Sequence, residues 1–194
     1  MRKVVVEVYT SLDGVIQPLD WMPPSETGRE ERGNYARDQL FASDALLIGR
    51  ETYEIFANTW PSRTAADEGP GEAGYVDRIN SMPKFVASRT LKEPLAWNAT
   101  LLKGDIAQAV AKLKQQPGQN ILIYGCGELA RTLMQHDLID EYRFWVYPVV
   151  VGEGTRLFGG SKTTLKLVDT KTVQCRFCHP HLPAGSAQLS KALP

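Results

Sequence analysis

Cysteine, histidine and net charge are all in short supply. Three cysteines, Cys126, Cys175 and Cys178, occur in 194 residues, and an odd, low count excludes a fully paired disulfide scaffold. Lysine plus arginine number 22 and aspartate plus glutamate number 22. That balance leaves no basic footprint for nucleic acid or an anionic membrane. Long apolar runs are missing too: the N-terminal one, after Met1-Arg2-Lys3, is far shorter than a signal-peptide core or the roughly 20 residues of a membrane span. The expected location is the cytoplasm. The stretch "CRFCHPH" at 175–181 contains a C-x-x-C-H spacing, but 172–178 reads as a strand, which would put Cys175 and Cys178 on opposite faces. It is read as strand and tail, with no metal or haem site.

What is present is an ordinary globular composition, 43% hydrophobic and 23% charged, enough for one domain with a sizeable core. Strands are expected at 3–10, 44–49, 84–88, near 99–102, at 120–124 and 141–147, with a final pair at 165–169 and 172–178. Helices are expected at 35–42, 50–57, 76–81, 105–115 and 127–136. In the fourth of these, Ile106, Val110 and Leu113 recur at amphipathic spacing. Residues 11–34 and 61–75, rich in Pro, Gly and acids, read as long loops, and 180–194 as a flexible tail. Strands alternating with helices predict an α/β fold with a mostly parallel sheet, and the closely spaced last pair an antiparallel C-terminal edge.

Ligands of open α/β sheets bind outside the carboxyl ends of the strands, and three such ends carry unusual residues. "IGRETYE" (48–54) sets Gly49 and Arg50 between strand and helix; "ASRT" (87–90) sets Ser88 and Arg89 after a strand; "YGCGELA" (124–130) sets Gly125-Cys126-Gly127 before a helix. Arginines beside small residues suit a phosphate, and a glycine pair opening a helix suits a diphosphate, because backbone N–H groups and the helix dipole favour an anion there. Each piece has a plainer reading as turn or solvated residue; the combination points to a phosphate-bearing ligand.

"SLDGVI" (11–16), "LLIGRETYEIF" (46–56), "VASRTL" (86–91) and "ILIYGCGELARTLMQHDLIDEYRFWVYPVVVGEGTRLF" (121–158) occur in the order seen in dihydrofolate-reductase-like proteins. The chain resembles most the reductase domain of riboflavin-biosynthesis deaminase-reductases and its stand-alone relatives, across most of residues 2–178. The resemblance implies a three-layer fold: about eight strands in a mixed, mostly parallel sheet with helices on both faces, residues 1–179 forming an NADPH-binding reductase domain. It implies that Gly49, Arg50 and Thr52 start the helix beneath the cofactor phosphates, and that Ser88 and Arg89 hold the 2′-phosphate. Gly125, Cys126, Gly127, Glu128 and Leu129 would form the diphosphate turn, Cys126 replacing a more usual glycine. Leu12, Val15 and Ile16 would line the nicotinamide end. Asp13, the nearest acid there, is either catalytic or a turn former.

On the substrate side, Trp21 and Trp60 would border a cleft or serve as packing anchors. Gly152 and Glu153, within "VVVGEGTRLF", would lie near the nicotinamide and substrate. Asp38 is the acid of the first expected helix, the place where dihydrofolate reductases carry a carboxylate, although aspartates on helices are more often exposed. No H-x-E with P-C-x-x-C of a zinc deaminase occurs, so no deaminase half is expected in these residues. The expectation is an NADPH-dependent reductase of a small heterocyclic substrate resembling the ribosyl-aminopyrimidine of the riboflavin pathway. The alternatives are dihydrofolate reductase activity or an NADPH-binding module without turnover. The resemblance also implies a homodimer, and "EYRFWVY" (141–147), apolar on both faces, suits either a central strand or a dimer surface.

Overall fold

A computed structural model describes residues 1–22, 28–125, 127–158 and 164–173. Six strands form one parallel sheet in the order β5-β4-β3-β6-β1-β7: β1 Val4–Ser11, β3 Ser43–Gly49, β4 Lys84–Ala87, β5 Ala99–Leu101, β6 Asn120–Tyr124 and β7 Glu141–Tyr147. Two further strands among the described residues, β2 Val15–Gln17 and β8 Thr155–Arg156, pair antiparallel in a separate ribbon. Among the described residues the antiparallel pairing is made by 155–156, and 165–169, an expected strand, lie in no ladder. The expected strand at 172–178, with Cys175, Cys178, His179, His181 and the tail, falls largely or wholly outside the described residues.

The central strands are apolar at consecutive positions because both faces are covered. Val4, Val6, Val8, Leu47, Ile121 and Ile123 face one layer, packed against α4 (Ile106–Gln115) and α5 (Glu128–Gln135). Val5, Leu46, Ile48 and Leu122 face the other, under α1 (Arg29–Phe41), α2 (Arg50–Thr59) and α3 (Tyr75–Ser81). The helix α1 begins at Arg29, six residues before the expected 35, with Glu30 and Glu31 in its first turn, where acids complement the dipole. Its Gly33 lets the loop at Pro70 approach: a Cβ there would sit 2.2 Å from the Pro70 carbonyl.

The amino-terminal ends of the strands are tied by half-buried ion pairs. Arg2 joins Asp44, and Lys114 reaches Asp140 at 2.6 Å, whose carboxylate also accepts from the Val4 amide. That leaves the carboxyl ends for function. No helix among the described residues is long and apolar enough to cross a membrane.

Candidate functional site

Two cavities open at these carboxyl ends. The larger, about 580 Å³, is lined by the starts of α2, α4 and α5 and by the turn after β4. The three helix starts differ. The α4 start is closed by its own cap, since Asp105 accepts from the Gln108 amide at 2.8 Å. The α2 and α5 starts are capped by Gly49 and Gly127, neither of which can supply a side-chain acceptor, so among the described residues neither start carries a side-chain cap. A Cβ at Gly49 or Gly127 would meet nothing within 4 Å and would project into open space.

Gly125 is a glycine for another reason. Its φ is +87°, and a Cβ would lie 2.7 Å from Thr52 Oγ1, so backbone conformation and the packing of α2 against the end of β6 both disfavour a side chain. Cys126, between the two glycines, lies outside the described residues. Arg89 bridges the cavity mouth to Glu128 at 3.1 Å, with both side chains largely exposed. Arg50 pairs along its helix with Glu54 at 2.9 Å. Ser88 Oγ accepts from the Thr90 and Leu91 amides at 3.1 and 3.0 Å, closing the turn that carries Arg89.

The smaller cavity, about 500 Å³, sits on the α1 side of the sheet. Tyr9, Trp145 and Tyr147 form its floor, and Arg29, Arg32 and Arg63 stand in its walls with Asp67 and Glu72. The floor follows from register: β1 and β7 pair Tyr9 with Trp145, whose rings stack at 6.2 Å. Trp21 packs edge-on against Tyr147 at 5.8 Å.

Of the sequence-predicted residues, Gly49, Arg50, Thr52, Ser88, Arg89, Gly125, Gly127, Glu128 and Leu129 converge on the larger cavity. The nicotinamide-end residues divide. Val15 and Ile16 are core residues, buried by the pairing of β2 with β8, while neighbouring Gln17 reaches the cavity. Leu12 is exposed, its amide bound to the Val149 carbonyl. Asp13 accepts from the amides of Val151 and Gly152 at 3.0 and 2.9 Å and from Ser11 Oγ at 2.7 Å. These donors hold its carboxyl well below the usual carboxylate range, so in this state it is an anionic clasp between two loops. Glu153 is exposed beside it.

Asp38 points to solvent and pairs with Arg37, and Trp60 packs on Tyr75 at 5.5 Å; neither lines either cavity. Helix phase and packing give each its plainer reading, Asp38 as an exposed helix residue and Trp60 as a packing anchor; the cavity-facing α1 residues are Arg29, Arg32, Gly33 and Ala36. Those arginines, with Arg63, Tyr9 and Trp145, are the functional candidates the sequence reading missed. Arg29 and Arg32 are one helical turn apart, a signal that shows only when α1 starts at 29.

Fold and cavities define a three-layer α/β protein with a ligand-sized cleft at its parallel strand ends. The chain matches the RibD C-terminal domain family over residues 2–179 and belongs to that family, a dihydrofolate-reductase-like family of reductase domains. Two Bacillus subtilis (strain 168) proteins, the uncharacterised YyaP and YwjB, are each 32% identical to it over 179 residues, covering 88% of this chain and 89% and 91% of theirs. A provisionally named riboflavin biosynthesis protein from Shewanella sp. PV-4 superposes with a TM-score of 0.58 at 26% identity, over 84% of this chain and 87% of that one. Acinetobacter baumannii RibD superposes with a TM-score of 0.54 at 18% identity, over 89% of this chain but 55% of that one, a likeness of fold.

Proposed function

We propose that the protein is an NADPH-dependent reductase of a small heterocyclic substrate, riboflavin-pathway-like in class and acting in the cytoplasm. The observation that carries this reading is the pair of glycine-capped helix starts, at Gly49 and Gly127, facing one cavity with Arg89 at its rim. Backbone N–H groups at helix starts and two helix dipoles favour a diphosphate, and the guanidinium of Arg89 suits the 2′-phosphate that separates NADPH from NADH. The residues therefore fit the cofactor: a side chain at Gly127 would fill the space that its diphosphate needs. NADPH bound there would supply the hydride; the protein orients it and excludes water.

The smaller cavity is proposed to hold the substrate. Its aromatic floor suits a planar ring, and its three arginines suit an anionic substituent. Dihydrofolate is the poorer candidate, because no carboxylate of α1 lines this cavity. The test is titration of the purified chain with NADPH and NADH beside an Arg89→Ala variant. The variant is expected to lose about 10- to 100-fold in NADPH affinity, the worth of a charged hydrogen bond, with NADH unchanged. Equal, weak binding of both nucleotides would overturn the reading. Tight NADPH binding with no oxidation across pyrimidine, pterin and carbonyl panels would favour a binding module without turnover.

A homodimer is proposed through β7, an edge strand of the described sheet, where the rings of Tyr142, Phe144 and Phe158 cluster at centroid distances of 5.8 to 6.1 Å and Phe144 and Val146 stay exposed. Light scattering at twice the 21.6 kDa chain mass, reduced to the chain mass by Phe144→Asp, is the expected result; a wild-type monomer would sink it.

A further inference from the structure

The strand order of the sheet sets an order along the larger cavity. Arg89 follows β4, Gly49 ends β3, Gly127 follows β6, and Gln17, in β2, follows β1. These strands are neighbours in the order β4-β3-β6-β1. At about 4.8 Å per strand the β4 and β1 ends lie roughly 14 Å apart. Next to β1 comes β7, and the smaller cavity has its floor on those two strands. Because β2 packs against β1, Gln17 marks the end of the larger cavity that is nearer the smaller one.

A bulge aims Gln17 there. Val15 pairs with Arg156 and Gln17 with Thr155, so β2 carries one residue more than β8 between the two pairs. Regular alternation would put Val15 and Gln17 on one face of the ribbon. With the extra residue they fall on opposite faces: Val15 is buried, and Gln17 is exposed and lines the cavity. The main chain around the bulge is closely held. A Cβ on Gly154 would lie 2.7 Å from the Gln17 carbonyl oxygen, and the Val15 amide donates to Ser11 Oγ at 2.8 Å. The Gln17 side chain is the part left to meet a ligand.

Several other polar groups of this cavity are already engaged: Arg89 with Glu128, Arg50 with Glu54, and Asp105 with its own helix. Gln17 carries the one carboxamide among the described lining residues, and its side chain makes no hydrogen bond among the described residues. A carboxamide offers both N–H donors and a carbonyl acceptor. It is the complement of a second primary amide, each N–H₂ meeting the other's oxygen.

We propose that Gln17 recognises the nicotinamide carboxamide of the cofactor and so sets which way round the ring lies at the β1 end, beside the smaller cavity. This rests on the reductase reading, in which Arg89 and the two glycine-capped helix starts take the phosphates at the β4, β3 and β6 ends. Val15 and Ile16, which the resemblance assigns to the nicotinamide, are core residues; the bulge passes that role to their neighbour.

The experiment is calorimetric titration of the full chain with NADP⁺, with 2′-phospho-ADP-ribose, which lacks only the nicotinamide, and with the 3-acetylpyridine analogue of NADP⁺, whose methyl ketone lacks the amide N–H₂. Wild type is expected to prefer NADP⁺ to both. Gln17→Met, similar in length but without the amide, should lose about tenfold in NADP⁺ affinity, the worth of one or two neutral hydrogen bonds. It should bind 2′-phospho-ADP-ribose as wild type does and no longer distinguish NADP⁺ from the analogue. Equal losses for NADP⁺ and 2′-phospho-ADP-ribose, or no loss for either, would overturn the proposal. So would a wild type that binds all three alike, which would leave the phosphate end standing. Should Gln17→Met not fold, Gln17→Ala answers the same question. Binding of none of the three by wild type would remove the reductase reading and this proposal with it.

Discussion

Arg89 and Glu128 face each other across the mouth of the larger cavity, guanidinium to carboxylate at 3.1 Å, one after β4 and the other opening α5. Exposed pairs contribute about 0–1 kcal/mol, so fold stability does not explain the contact. On the reading proposed above, Glu128 occupies the guanidinium that a 2′-phosphate needs. Glu128→Gln is expected to change the melting temperature by less than about 2–4 °C, the equivalent of 1 kcal/mol at this chain length, while tightening NADPH binding several-fold and leaving NADH alone. Isothermal titration calorimetry checks it, and a loss of NADPH affinity would mean that Glu128 contacts the cofactor itself.

The two described glycines of the β6–α5 turn should respond in opposite ways. Gly125→Ala introduces a strained positive φ and a contact with Thr52 Oγ1, costing roughly 1–3 kcal/mol of stability. Gly127→Val meets open space, so the fold is expected to survive while NADPH affinity falls at least about tenfold, or 1.4 kcal/mol. Thermal melts and nucleotide titrations on the same two variants separate the effects; a stable Gly127→Val that still binds NADPH would relieve that turn of its diphosphate role.

Asp13 ties the loop after β1 to residues 151–152. Because its carboxyl is held below the ordinary value of 3.8, its stabilisation is present above that pH and lost as pH falls through and below it. Asp13→Asn is expected to speed amide exchange at Val151 and Gly152 at pH 7, with the difference from wild type shrinking below about pH 3.8 as Asp13 itself takes up a proton. Lost turnover with unchanged exchange would instead make Asp13 catalytic.

Lys84 is fully buried between β3 and the loop bearing Trp97, its Nζ 2.7 Å from the Asn80 carbonyl and 4.1 Å from the Trp97 ring centroid. Burial lowers its pKa from 10.5 to about 8. A depressed lysine costs stability in full below the folded value, and the cost is relieved as pH rises toward 10.5. The cost is at most about 3 kcal/mol, reduced by the ring and carbonyl, which favour the charged form. Lys84→Met should therefore lose ground to wild type as pH rises from 7.5 to 9.5, read as the difference between their melting temperatures. A difference independent of pH would mean that Lys84 stays charged throughout.

Local chemistry was legible from the chain wherever one segment decides its own role. The runs at 4–6, 45–48 and 121–124 are apolar at successive positions because both sheet faces are covered. The glycine-arginine and glycine-x-glycine turns could be placed between strand and helix from their own residues, and both line the larger cavity. Val15 and Ile16 could not be read this way: their burial depends on β8, about 140 residues onward.

The smaller cavity was decided only by tertiary structure. Tyr9 and Trp145 share a floor because β1 and β7 pair in that register. Arg29 and Arg32 face it because α1 begins early and packs its Gly33 against Pro70. Glu7 reads in the sequence as a lone acid in an apolar strand, and only the sheet shows it buried beneath those rings. Periodicity and turn chemistry are properties of neighbours in sequence. A cavity and the groups around it are properties of neighbours in space.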